Sequence, residues 1–132
     1  MKNIPATHQD LLTDEKKAFA YLATVMADGT PQVTAIWFNT DGEHILLNTV
    51  RDRVKDKNMR ARPSIALCIA DPANPYRYLQ LRGKIVERTM DGAEEHIDAL
   101  SLKYRGNPVY DRHSPEHPRV IHKMVVEKVD PH

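Results

Sequence analysis

The sequence predicts a mainly β protein with a few short helices, folded as a small six-stranded barrel. Three observations lead there. Two Asp-Gly pairs, Asp28-Gly29 and Asp41-Gly42, each sit between runs rich in Val, Ile, Leu, Thr and aromatic residues. Asp-Gly suits the positive φ angles of tight hairpin turns. The segment YRYLQLRGKIVER (76–88) alternates, with Tyr76, Tyr78, Gln80 and Arg82 on one face and Arg77, Leu79 and Leu81 on the other, as a half-buried strand requires. Strands dominate and are mostly joined by short turns, a pattern that favours closure because closure removes exposed edges.

Taken in order, Thr7 is placed to cap a short amphipathic helix over residues 8–18, with Leu11, Leu12 and Phe19 on its apolar side. Three antiparallel strands follow, near residues 20–27, 31–39 and 43–49. From Arg51 to Arg62 the chain has no β-branched residue except Val54, and Val54, Asn58 and Met59 recur at helical spacing. Pro63 bars its predecessor from helical geometry, so this helix stops there. SIALCIA (64–70) reads as a buried strand, DPANP (71–75) as a turn and 76–88 as the next strand. Residues 91–106 form an amphipathic helix with Ile97, Leu100 and Tyr104 on one side, closed by Gly106. A Pro-rich loop (107–118) leads to a last strand over 119–129. A closed six-stranded sheet has little interior room, so a large ligand belongs outside it or between subunits.

Composition narrows the function classes. The chain has 132 residues, 41% of them hydrophobic, which suits one globular domain over residues 1–132. Its formal net charge of +1 gives no global field for nucleic acid or an acidic membrane. No apolar run approaches the ~20 residues that span a bilayer, and the N-terminus lacks the apolar stretch of a signal peptide. Cys68 is the one cysteine and reads as a structural thiol in an apolar strand. The expected setting is the cytoplasm.

The charge that is present is concentrated. Six of the twelve residues from Arg51 to Arg62 are basic, against Asp52 and Asp56. One reading is a solvated helix with pairs such as Asp52 with Lys55 and Asp56 with Arg60. The other is an anion cradle: the helix N-terminus offers unpaired N–H groups next to Arg51, Arg53, Lys55 and Lys57, with Asn48 and Thr49 at the preceding strand end. Trp37 reads either as core or as the wall of a pocket for a flat ligand. Seven histidines lack metal-ligand spacing, and no P-loop or dinucleotide fingerprint is present. No side chain is assigned as a catalytic group, so if the protein is an enzyme a cofactor carries the chemistry.

The stretch from LATVMADGTPQVTAIWFNTDGEHILLNTVRDRVKDKNMRARP to YRYLQLRGKIVE, roughly residues 20–88, resembles the split β-barrel flavin and deazaflavin oxidoreductases of the pyridoxamine 5′-phosphate oxidase superfamily. It is most similar to the small coenzyme F420-dependent branch. IDALSLKYRG and PRVIHKMVVEKV resemble the late helix and closing strand of that family. The resemblance implies a homodimeric split barrel that binds coenzyme F420, or alternatively FMN, at the subunit interface and transfers hydride to a small unsaturated substrate. It implies that Lys55 meets the cofactor phosphate, with Arg53 and Arg51 as extra charge and Asn58 beside them. Asn48 and Thr49 then line the ring and ribityl chain. Thr34, Ala35, Ile36 and Trp37 face the ring, and Tyr78 and Gln80 reach it across the dimer. Many relatives carry Ser two residues before the lysine, where this chain has Arg53, and Asp-Pro-Arg after the helix, where it has Arg62-Pro63-Ser64. Two rival classes remain: a non-catalytic cofactor binder, and a nucleic-acid module using the 51–62 patch, which lacks the aromatic interleaving such modules use.

Overall fold

Seven strands form one antiparallel sheet in the computed structural model, which describes residues 1 and 3–132. They are β1 (Ala20–Val25), β2 (Pro31–Ile36), β3 (Phe38–Thr40), β4 (Ile45–Val50), β5 (Ser64–Asp71), β6 (Asn74–Thr89) and β7 (Arg119–Pro131). Helix α1 (Val54–Ala61) links β4 to β5, and α2 (Ala93–Arg105) precedes β7. The sheet order is β2-β1-β5-β6-β7-β4-β3. β2 and β3 are therefore at opposite ends of the sheet, yet Trp37 alone separates them in the chain. The sheet must curl until its ends meet, which makes it a split barrel.

This is also where the six-strand expectation is corrected. The segment expected as one strand over 31–39 is one extended run that changes partner at Trp37. Its first part pairs with β1 (Ala20↔Ile36), and its second with β4 (Phe38↔Leu47). Counted around the barrel there are six positions, one of them shared by two short strands.

Alternation fills the interior. Leu22, Phe38, Ile45, Leu47, Leu67, Ile69, Leu79, Leu81 and Met124 point inward and are fully buried. Met59 of α1 plugs one end, and Leu11 and Leu12 of the N-terminal segment cover another part of the core. That N-terminal segment is a 3-10 helix over Ala6–Leu12, shorter than the helix expected over 8–18. Thr13 ends it in extended geometry, its hydroxyl donating to the Asp10 carbonyl at 2.7 Å, a local bond that competes with helix continuation. Thr7 lies inside this helix and does not cap it. Phe19 is 45% exposed. Cys68 faces outward from β5 and is half-buried.

Two register shifts, at Arg82/Gly83 and Ile85/Glu87, bend the long β6–β7 pair, as bulges do. Gly83 is required there: a Cβ would lie 1.9 Å from the Val125 carbonyl oxygen. Among the described residues no helix is long and apolar enough to cross a membrane. Gly83→Ala should destabilise the protein by about 3 kcal/mol or more, because backbone must move; a denaturant midpoint within error of wild type would contradict the close approach.

Candidate functional site

The seam where the chain passes from β2 to β3 opens into a cleft of about 230 Å³. Ala35, Ile36 and Trp37 come from the seam, Asn48 and Thr49 from the end of β4, Arg53 and Lys55 from the start of α1. Phe19, Ile97, Arg105, Tyr110 and Arg119 complete the lining.

The cationic end is built by the turn before α1. Asp52 adopts φ +69°, an uncommon value for a residue with a side chain. Its N–H donates to Asp56 Oδ2 at 2.8 Å, which fixes the turn. Arg53 is then the N-cap and supplies no side-chain hydrogen bond, so the first N–H groups of the helix have no such cap. Arg119, first residue of β7, sits opposite Val50 in the β4–β7 register. Its guanidinium donates to the Tyr110 hydroxyl at 2.9 Å. Burial, then the charges of Arg53 and Arg119, push the Lys55 pKa down. Burial also lowers that of Arg119, with Tyr110 opposing and Arg53 adding to the effect. Three cations thus converge with no salt bridge to any of them among the described residues.

An aromatic wall adjoins them through Tyr110, over whose ring the Arg119 guanidinium lies at 4.9 Å. Trp37 stacks on Tyr104 with centroids 5.1 Å apart, and Tyr104 stacks on Phe19 at 5.1 Å. Tyr110 meets Trp37 edge-on at 6.2 Å, and the Arg105 guanidinium lies 5.1 Å over the indole. The Tyr104 hydroxyl donates to the Ala18 carbonyl at 2.7 Å, anchoring the stack. The loop that carries Tyr110 is tied to α2 by His113, whose Nδ1 and Nε2 lie 2.8 Å from Glu94 and 2.6 Å from Asp98. Those two carboxylates, Asp98 first, raise the His113 pKa and favour the imidazolium.

Seven residues singled out in the sequence therefore meet in the cleft: Ala35, Ile36, Trp37, Asn48, Thr49, Arg53 and Lys55. Five do not. Thr34 is in the inward-facing phase of β2, opposite Leu22. Arg51 turns toward Asp52 (3.7 Å) and Met90. Asn58 is buried and holds α1 onto β1: its amide donates to Thr24 Oγ1 at 3.0 Å, and its carbonyl accepts from Arg62 at 3.1 Å. Tyr78 and Gln80 are on the outer face of β6, Tyr78 stacked on His132. The five lining residues not anticipated come from segments far apart in sequence. Arg119 had one signal, a basic residue opening a strand after a Pro-rich loop, but only the β4–β7 register puts it beside Lys55. Of the expected ion pairs, Asp56 with Arg60 is present at 3.6 Å, while Asp52 pairs with Arg60 at 2.8 Å rather than with Lys55.

A pyridoxamine 5′-phosphate oxidase family model matches residues 4–132, nearly the whole chain. The chain belongs to that family. A solved F420 reductase is 34% identical, with a TM-score of 0.85 over 96% of this chain and 98% of that one. HupZ from Group A Streptococcus shares the fold at 20% identity and a TM-score of 0.68, covering 97% and 93%. A conserved hypothetical protein from Mycobacterium tuberculosis does so at 19% and 0.71, covering 97% and 84%. No curated protein matches the chain.

Behind the cleft, Asp56 is fully buried and accepts from Arg88 Nε (2.9 Å) and Nη2 (3.0 Å) and from His122 Nε2 (2.8 Å). Burial alone would raise its pKa; the Arg88 hydrogen bonds, the Asp52 N–H and His122 outweigh it and hold the carboxyl down to about 2. Because the folded pKa lies below the ordinary 3.8, the stabilisation is fully present above that value and is lost as pH falls toward 2. Asp56→Ala should cost about 3 kcal/mol at neutral pH, because it leaves Arg88 without its partner. It should also flatten the acid limb of stability between those pH values. Acid unfolding that follows the wild-type profile would show that the pair contributes nothing there.

Proposed function

We propose that the cleft binds the phosphate-bearing part of a flavin-like cofactor, coenzyme F420 ahead of FMN, and that the protein is an oxidoreductase acting on a small unsaturated substrate. The observation that carries this reading is the convergence of Arg53, Lys55 and Arg119. Like charges this close disfavour one another, and a multiply charged anion relieves all three at once. Phosphate also suits the uncapped start of α1. The residues fit the group: a cationic end, a tryptophan-backed aromatic wall, and polar strand-end residues between them. Three cations exceed what one terminal phosphate needs and favour a cofactor with an anionic tail. The similarity to an F420 reductase supports the same choice. When bound, the cofactor supplies the hydride-carrying ring. The chain's own residues neutralise phosphate, orient the ring and exclude water.

The cleft of one chain, about 230 Å³, is below the ~300–1,000 Å³ of pockets that enclose a cofactor-sized ligand. A second copy would complete it. The outer face of β2-β1-β5-β6 is suited to that: Val33, Ala35, Tyr21, Ala23, Ala66 and Cys68 lie in adjacent register rows. Tyr21 and Val33 are exposed, and a groove of about 490 Å³ runs beside them. Tyr78 and Gln80 share this face, next to Ala70 and Cys68, so this reading assigns them to the neighbouring copy's cleft.

The test is titration of the protein with F420 and with FMN, read by fluorescence. Binding of F420 at micromolar concentration or below is expected, and binding of neither would overturn the reading. Lys55→Ala and Arg119→Ala should each weaken binding by roughly 1.5–3 kcal/mol; unchanged affinity in both would remove the phosphate from this end. Tyr21→Glu should convert a dimer to monomer in sedimentation and weaken cofactor binding together with it. A Tyr21→Glu dimer with wild-type affinity would exclude this face.

A further inference from the structure

The floor of the cleft holds a buried amide that is oriented from behind. Asn48 is 4% exposed. Its Nδ2 lies 2.9 Å from the Ala93 carbonyl oxygen and 3.1 Å from His96 Nδ1. A backbone carbonyl only accepts, so the NH₂ side of the amide must face Ala93. The second amide proton then goes to His96 Nδ1, which must be the unprotonated ring nitrogen. The proton of the ring sits on Nε2, which donates to Asn39 Oδ1 at 2.8 Å. Burial lowers the His96 pKa to about 4, so the ring is neutral at physiological pH and keeps this tautomer. Both amide donors of Asn48 are thereby used. Its Oδ1 is buried and has no hydrogen-bond partner among the described residues.

We propose that His96 is a positioning residue that holds Asn48 with its carbonyl presented to the cleft. The floor of the site then accepts a hydrogen bond and selects a ligand offering an N–H or O–H there. This rests on the reading of the cleft as the cofactor site and adds a direction to it. One end of the cleft, at Arg53, Lys55 and Arg119, takes anionic oxygen; the floor at Asn48 rejects it, because two acceptors repel. A ligand with phosphate at one part and ring N–H or chain hydroxyl at another enters in one orientation. A buried carbonyl without a donor is costly to leave unpaired, so a ligand that brings an N–H or O–H to it gains that hydrogen bond.

The experiment has two readouts. ¹⁵N NMR of the unliganded wild-type protein at neutral pH should show His96 as the neutral Nε2–H tautomer. An Nδ1–H ring or an imidazolium overturns the proposal whatever the protein binds. Affinities for FMN and F420 are then measured for wild type, Asn48→Ala, His96→Leu, His96→Gln and the Asn48→Ala/His96→Leu double variant. Asn48→Ala should lose about tenfold, the effect of one buried hydrogen bond. His96→Leu should lose severalfold, and His96→Gln, which can still accept from Asn48 and donate to Asn39, should regain most of it. In the Asn48→Ala background, His96→Leu should add no further loss. Wild-type affinity in folded His96→Leu, or losses that multiply in the double variant, overturns the proposal. Wild-type protein that binds neither cofactor overturns the cofactor reading, and the selecting role with it.

Discussion

The segment Pro31–Thr40 belongs to both ends of one sheet, and the rest of the molecule follows from that. Because β2 pairs with β1 while β3 pairs with β4, a continuous chain can satisfy both only if the sheet closes. Closure leaves no room inside for anything but side chains, and Phe38, Leu47 and Leu81 fill it. It also fixes what stands at the join. Ile36 and Phe38 are both buried, so the strand's inner phase passes through the break, and Trp37 between them is left half-buried outside the barrel. The aromatic wall of the cleft is assembled on that one outward residue. Of the two positions its sequence context offers, core or pocket wall, Trp37 takes the one outside the core, in the lining of the cleft.

Electrostatics divides α1 along its length. Lys55 and Asp56 are adjacent in the chain but serve opposite sides of the helix. Asp56 turns inward, where Arg88, His122 and the Asp52 N–H compensate it. Asp56 is the one acid of the helix and is engaged there, so none is left to balance Arg53 and Lys55; Arg119 arrives from β7 as a third cation, with the charge of Glu94 opposing it. One side of the helix thus carries a paired charge, and the other, among the described residues, carries cations without a salt bridge.

The strands were legible in the sequence because their signals are local: Asp-Gly turns, alternation in 76–88, and a helix stopped by Pro63. So was one side of the cleft lining, since Asn48, Thr49, Arg53 and Lys55 lie within one strand-turn-helix. What could not be read depends on pairing between distant segments. Arg88 and His122 gave no sign of meeting Asp56, because only the β6–β7 register (Arg88↔His122) brings them together. Asn58 has the spacing of a site residue, but one helical turn carries its side chain to the β1 side. The partner change at Trp37 is invisible in sequence, because Ile36, Trp37 and Phe38 are all good strand formers and nothing between them marks a break.

β7 is the late strand on which both halves wait. It pairs with β4 along Ile45–Val50 and with β6 along Leu79–Thr89. During synthesis both of those strands leave the ribosome with one edge open, β4 as ILLNTV and β6 with Leu79, Leu81, Ile85 and Val86 along it. Such edges invite pairing with other chains, and contacts spanning so many residues form slowly. Arg119 leads β7, so the third cation arrives with the strand that seals the sheet. The interval before residue 119 emerges is therefore the one in which these strand edges stand unpaired, and chaperone dependence should be greatest there.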